Sequence, residues 1–248
     1  MELVWSQKFR VFAYEVTAHG EARMEVLMNY LQEAAGNHAA SWRLGVGDLR
    51  ALGRAWLLSR YHLRIQRYPR LGEQVQVSTW PSGMQEAFAL RDFEIALADG
   101  TPLAVATSSW VVFDLEAKQP LPIARALPAE FLLERRSLED SFLHLPELEA
   151  AERSVRLRTM LRDLDLNRHV NHTVYVQWAL ESAPAGLVSR RQPVELEVGY
   201  RAEAFYGDEV LSECRAENAD GPQVRLVHRI RHAHRGTELA RLRTVWTR

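Results

Sequence analysis

Apolar residues recur at three- and four-residue steps in two stretches of the chain. In the first, Met24, Leu27, Met28, Leu31, Ala34, Ala35, His38 and Trp42 fall on one stripe, predicting an amphipathic helix of about five turns closed by Gly45. In the second, Val174, Tyr175, Trp178 and Ala179 predict a helix over 171–182, capped by Asn171 and stopped by Pro184. Alternation of apolar and polar positions predicts strands over 9–16, 55–65, 74–80, 86–98 and 101–113. After the second helix's own leading strand at 155–160, the same alternation returns over 194–206, 210–217, 224–234 and 237–246. Asp99-Gly100 and Gly207-Asp208 read as turns between strands.

A long helix followed by antiparallel strands predicts a sheet wrapped around that helix, the hotdog arrangement, and the plan occurs twice. Setting Glu33 against Glu181 brings the helices into register, with Leu27 opposite Tyr175 and Tyr30 opposite Trp178; Gly72-Glu73-Gln74-Val75 then answers Gly207-Asp208-Glu209-Val210. Between the halves, Pro120, Pro122, Pro128 and Pro146 interrupt any regular element, and charge rises at Glu134-Arg135-Arg136. The expected organisation is an α+β double hotdog: residues 1–118, a linker over 119–152, and residues 153–248.

At 248 residues, 47% hydrophobic and 25% charged, the chain is long enough for two small cores. A formal net charge of −1 argues against nucleic-acid binding. The longest apolar runs, such as 107–113, are too short to cross a bilayer, and the first residues lack the basic and apolar regions of a secretory signal. Cys214 is the single cysteine, which excludes an intrachain disulfide and a cysteine-based metal site. The expectation is a cytoplasmic protein with neither metal nor cofactor.

Ahead of the second helix, Asp165, Asn167 and His169 occupy every second position. On an extended segment they would share a face at steps of roughly 7 Å. They would stand beside a helix N-terminus whose free N–H groups near Asn171 can receive an oxyanion. An acid, an amide and an imidazole so placed point to catalysis; a solvated loop with a helix cap is the competing reading. The first half has Thr17, His19 and Glu21 at the matching places, and Tyr68 where the second half has Glu203. The site is therefore expected in the second half. His38, on an apolar stripe, reads as a packed histidine, and Cys214, within a strand, as a packed thiol.

Asp165-Leu-Asn-Arg-His-Val-Asn171, followed by Tyr175, Trp178 and Glu181-Ser182, resembles the signature of the acyl-acyl carrier protein thioesterases, which hydrolyse acyl thioesters at the end of fatty-acid synthesis. In the first half, Asn29 to His38, Trp56 to Arg60, Arg67 to Trp80 and Ser109 to Asp114 are similar to that family's N-terminal domain. The resemblance implies one active site, built from Asp165, Asn167, His169 and a Glu carried here by Glu203 in Tyr200-Arg-Ala-Glu-Ala204. Plant members often have a cysteine after that Glu; the residue here is Ala204, which disfavours a cysteine nucleophile.

It further implies Glu203 as general base toward water, His169 as its orienting partner or as acid to the thiolate, and an acyl tunnel in the first hotdog. Met24, Met28, Leu31 and Trp56 are the expected liners. The implied partner is acyl carrier protein carrying a fatty acyl chain. Arginines among Arg225, Arg229, Arg231, Arg235, Arg241, Arg243 and Arg248, with Arg135-Arg136 and Arg190-Arg191, are candidates for docking that acidic protein. A coenzyme A thioesterase and a non-catalytic acyl-binding module are the alternatives, and monomer and homodimer both stay open.

Overall fold

The computed structural model describes residues 2–218 and 222–247; Asp220 and Arg248 lie outside the described residues. The chain divides into two compact units, residues 1–141 and 142–248. In the first, β1 (Trp5–Arg10) precedes the long helix α1 (Met24–Ser41) and a short helix α2 (Val46–Ala51). Strands β2 (Arg54–Ile65), β3 (Gln74–Gln85), β4 (Phe88–Leu97) and β5 (Pro102–Asp114) follow, with the two-residue β6 (Gln119–Pro120) against β5. They pair antiparallel in the order β1–β3–β4–β5–β2. Helix α1 packs on β1 and β3, and its stripe of Met24, Leu27, Met28, Leu31 and Ala34 is wholly buried. Withdrawing each of the larger side chains from water contributes about 1.5–3 kcal/mol.

The second unit holds β7 (Arg153–Arg158), α3 (His172–Ser182), the one-turn α4 (Ala185–Val188), β8 (Glu195–Tyr200), β9 (Glu209–Asn218), β10 (Gln223–His232) and β11 (Glu238–Thr247). Its antiparallel order, β7–β9–β10–β11–β8, repeats that of the first unit strand for strand. Helix α3 lies on β9 and β10. Each unit is thus a helix held by an antiparallel sheet, the double hotdog that the pattern predicts. No helix of the described residues is long and apolar enough to cross a membrane.

The internal repeat is written in backbone hydrogen bonds. Val16 bridges Ala22 as Leu164 bridges Val170, and Glu21 bridges Arg70 as His169 bridges Phe205. The Ala22 N–H donates to Pro69 O at 2.8 Å, and the Val170 N–H to Ala204 O at 3.0 Å. In the following turns, Arg70 N–H donates to Glu73 Oε2 and Phe205 N–H to Asp208 Oδ2.

Strand ends differ from the alternation where a side chain captures the backbone. The strand expected over 9–16 stops at Arg10 because Glu15 accepts the Phe12 N–H at 2.8 Å and the Tyr30 hydroxyl at 2.7 Å, turning residues 13–15. The strand expected to reach Tyr206 stops at Tyr200: Arg201 and Ala202 both donate to Leu239 O, and the Ala204 N–H goes to the Tyr175 hydroxyl. Between 119 and 152, Ile123, Ala126 and Leu127 are buried with Ala89 and Val112. Arg136 and Ser137 then close on Asp92, a wholly buried carboxylate on β4 that also accepts from Ser82 Oγ and Thr107 Oγ1. Farther along, within the second unit, the Leu145 and Leu148 carbonyls accept from Arg241 and Arg229.

Candidate active site

The segment bearing Asp165, Asn167 and His169 is a tight turn rather than the extended run that would put all three on one face. The Leu164–Val170 bridge closes it, Asp165 N–H donates to His169 O at 2.8 Å, and Arg168 N–H donates to Asp165 O at 3.0 Å. Asp165 itself is the reason. One of its carboxylate oxygens accepts the backbone N–H of Asn167 at 2.8 Å and of His169 at 3.1 Å, the self-bonding that Asp favours in turns. Arg168 completes the reversal with φ of 63°, where the first unit has Gly20 at 76°. Asp165 thus builds the turn, and Asn167 stands exposed on it with its side-chain amide unengaged among the described residues.

His169 and Glu203 meet across 34 residues of sequence, with Nδ1 and Oε1 3.0 Å apart. Their side chains are 35% and 49% exposed, so the pair is open to solvent and to a substrate. Three contacts hold it. The His169 backbone bridges Phe205, whose ring meets the imidazole edge-on at 5.2 Å. Tyr175, on α3, accepts the Ala204 N–H at 3.0 Å, fixing the residue after Glu203. Burial pushes the Tyr175 phenol up to about 12, so it stays a neutral hydroxyl in this contact. Asp208 holds Phe205 from the far side through its N–H at 3.0 Å. The sequence placed Tyr175 on an apolar stripe and in the family signature, and Asp208 in a turn opposite Glu73, without assigning either a part in the site; the bond of Glu73 to Arg70 N–H in the first unit is the counterpart of the Asp208 contact.

Asn171 caps α3, its Oδ1 accepting from Thr173 N at 3.0 Å and Thr173 Oγ1 at 3.1 Å. Of the N–H groups near Asn171 expected to receive an oxyanion, three are engaged. Its own N–H donates to Asp163 O, Thr173 N–H is taken by the cap, and Val174 N–H returns to Asn171 O. Those three donors are committed.

Met24, Met28 and Leu31 share the buried face of α1. Trp56, on β2, instead packs half-buried against the cluster of Ala89, Val112, Ile123, Ala126 and Leu127, donating its indole N–H to Leu44 O at 2.9 Å. His38 is wholly buried between Trp5 and Trp42, its nitrogens against Glu2 O and Arg91 Nη1; burial, then the Arg91 charge, lowers its pKa to about 4. Cys214 is buried on β9, with its thiol donating to Ser182 O at 2.9 Å, and burial raises its pKa.

The arginines of β10 and β11 share faces as their parity predicts, but four of them are spent internally, while Arg225 is exposed and makes no ion pair among the described residues. Arg229 and Arg231 both bond Glu213, Arg241 bonds Glu238 and Glu147, and Arg243 bonds Glu197. Burial alone would raise the Glu213 carboxyl, yet the two guanidiniums hold it below the ordinary range. Arg135 lies over the Trp80 ring and pairs with Glu94, Arg136 with Asp92, and Arg191 with Thr247 O. On these strands the expected basic face is thus reduced to Arg225.

Comparison with known proteins places this geometry in context. The family description "Acyl-ACP thioesterase N-terminal domain" matches residues 2–131, and "Acyl-ACP thioesterase C-terminal domain" matches residues 147–248. A chloroplastic palmitoyl-acyl carrier protein thioesterase of Gossypium hirsutum is 32% identical over 98% of this chain, and a chloroplastic acyl-[acyl-carrier-protein] hydrolase of Cuphea viscosissima is 30% identical over the same share. The chain spans 64% and 63% of those relatives' lengths. Among solved structures, a 12:0-ACP thioesterase from Umbellularia californica superimposes with a TM-score of 0.87 at 24% identity, covering 98% of this chain and 94% of that one. An acyl-ACP thioesterase from Bacteroides thetaiotaomicron gives 0.85 at 22%, covering 98% and 97%; both support the fold.

Proposed function

Since the chain belongs to the acyl-ACP thioesterase family, we propose that it hydrolyses the thioester of a fatty acyl chain borne by acyl carrier protein, using the His169–Glu203 pair. The single observation that carries this is the 3.0 Å contact between His169 Nδ1 and Glu203 Oε1 in the unit with the Asp165–His169 turn. A carboxylate at Nδ1 holds the ring proton there and leaves Nε2 with its lone pair outward. Nε2 then takes a proton from water as the water oxygen bonds to the thioester carbonyl carbon. When the tetrahedral intermediate collapses, the carbon–sulfur bond breaks and the same proton goes from Nε2 to the departing thiolate. Glu203 stabilises the imidazolium between these steps, which moves the base from the carboxylate to the imidazole it orients.

The exposed Asn167 amide is the side-chain donor offered to the developing oxyanion, since the N–H groups of Asn171, Thr173 and Val174 are engaged; losing one such donor typically costs about 3 kcal/mol. Met24, Met28, Leu31 and Trp56 are proposed to set acyl-chain length, and exchanging Leu31 for Ala is expected to change the chain-length profile. An assay on carrier-bound acyl chains of graded length, run beside the same chains on coenzyme A, tests the whole reading. His169→Ala and Glu203→Gln should each lower turnover by about 10²–10⁴-fold, the range of general acid–base assistance. Near-normal turnover in both variants would remove the pair from the chemistry.

A further inference from the structure

The loops around the His169–Glu203 pair present large apolar side chains to solvent: Leu161 is 71% exposed and Leu166 91%, with Met160, Phe205 and Tyr206 also exposed. These loops are bonded to one another, Thr159 N–H to Asp208 O and Gly207 N–H to Thr159 O, so the exposed groups flank one another beside the pair. Cations ring them. Arg158 and Arg168 are exposed and make no ion pair among the described residues, and Arg162, 85% exposed, comes only within 3.9 Å of Asp163. Of the nearby acids, Asp163 accepts Met160 N–H, Asp165 accepts Asn167 and His169 N–H, and Asp208 accepts Phe205 N–H and pairs with His232 and Arg235, while Glu203 is held by His169. With three exposed arginines against the one half-exposed carboxylate of Glu203, the rim carries an excess of positive charge.

A second observation concerns Arg168. It sits at φ of 63°, a region costly for a side chain with a Cβ, where the repeat in the first unit uses Gly20 at 76°. Its backbone is held by the bond to Asp165 O, but its exposed side chain makes no ion pair or hydrogen bond among the described residues, so it is available to a partner.

We infer that this rim, Arg158, Arg162 and Arg168 around Leu161 and Leu166, is the surface on which an acidic carrier protein docks to present its thioester to the His169–Glu203 pair. Apolar groups framed by unpaired arginines fit an acidic, partly apolar protein surface, and the exposed pair requires a carrier seated beside it. The inference rests on the hydrolase reading above and adds where the carrier is recognised, which is not the face of β10 and β11.

The test compares one acyl chain on acyl carrier protein and on N-acetylcysteamine, a small thioester with no protein surface. Arg162→Glu and Leu166→Ser should each raise KM for the carrier-bound chain at least 5-fold, with that KM rising steeply with salt in the unmutated protein, and leave kcat/KM for the small thioester within 2-fold. Arg168→Gly should raise the same KM while the thermal midpoint stays equal or increases, a combination that damage to the fold cannot give. An unchanged carrier KM in all three variants overturns the proposal, as does an equal loss on both substrates. Hydrolysis of the small thioester without the carrier-bound one also overturns it and leaves standing only the thioester chemistry of the His169–Glu203 pair; hydrolysis of neither removes both.

Discussion

Asp165 and His169 bind each other twice through the backbone of one turn: the Asp165 N–H donates to His169 O at 2.8 Å, and the His169 N–H donates to an Asp165 carboxylate oxygen at 3.1 Å. The carboxylate therefore aims the imidazole without touching its ring. Asp165→Ala removes both backbone bonds made by that oxygen, and a displacement of about 1 Å at a reacting group can cost about 100-fold. The expected loss is about 10–100-fold in kcat. Asp165→Asn keeps an oxygen for the same two N–H groups and should recover most of the rate. Equal losses in the two variants would instead mean that the charge, rather than the turn, matters.

Acid sensitivity should arise at the histidines that burial holds neutral, His38 and His172 with pKa lowered to about 4 and, most strongly, His228. His228 is wholly buried on β10, with Nε2 2.9 Å from Thr244 Oγ1 and Nδ1 3.4 Å from Ser182 Oγ, and burial lowers its pKa to about 3. The unfolded chain binds this proton near the ordinary 6.5 while the folded protein stays neutral. Stability is therefore full above about pH 6.5 and lost as pH falls toward 3, at up to about 1.4 kcal/mol per pH unit, or about 2 kcal/mol by pH 5. Denaturant titrations between pH 7 and 5 should show this slope, and His228→Gln should flatten it by one proton. An unchanged slope in that variant would place the lost protons on other groups.

The helices were legible in the sequence because of their 3.6-residue period: the stripe from Met24 to His38 lies in α1, with Trp42 as its C-cap, and that from Val174 to Ala179 lies in α3. Strand ends were not, since Glu15 and Tyr175 stop strands by side-chain bonds that alternation does not encode. The turn at Asp165 illustrates the limit. Polar residues at every second position suit an extended face and a self-bonded turn equally, and the telling sign was Gly20 in the other half. Nearness of His169 to Glu203 followed from family resemblance, because no local pattern joins residues 34 apart. The arginines of β10 and β11 were placed on the right faces, but parity says nothing about the acids across the sheet, such as Glu213 opposite Arg229.

Asp92 should be a point of large mechanical consequence in the first unit. Its carboxylate is fully buried and holds Arg136, Ser137, Ser82 and Thr107 at once, tying residues 136–137 to β4. Asp92→Ala leaves the half-buried Arg136 guanidinium without its counter-ion, a change that typically costs about 3–5 kcal/mol. Limited trypsin digestion should then cut after Arg135 or Arg136 much faster than in the unmutated protein, where Trp80 also holds the Arg135 carbonyl at 2.7 Å. Equal cleavage rates would show that the segment is held by other contacts.

Cys214 offers the sharpest separation between a thiol and a non-thiol route. It lies at 1% exposure on β9, donates to Ser182 O, and has its pKa raised by burial, so a thiolate is disfavoured and an acyl group has no path to it. The residue after Glu203 is Ala204, which carries no nucleophile. Cys214→Ala should therefore keep kcat within about 2-fold, while losing the packing and one hydrogen bond, worth about 1–2 kcal/mol in a denaturant titration. Iodoacetamide should leave the native protein unmodified and active, and should label Cys214 once the chain is unfolded. Rapid alkylation of the folded protein with parallel loss of hydrolysis would return a cysteine to the mechanism and displace the imidazole from its role as base.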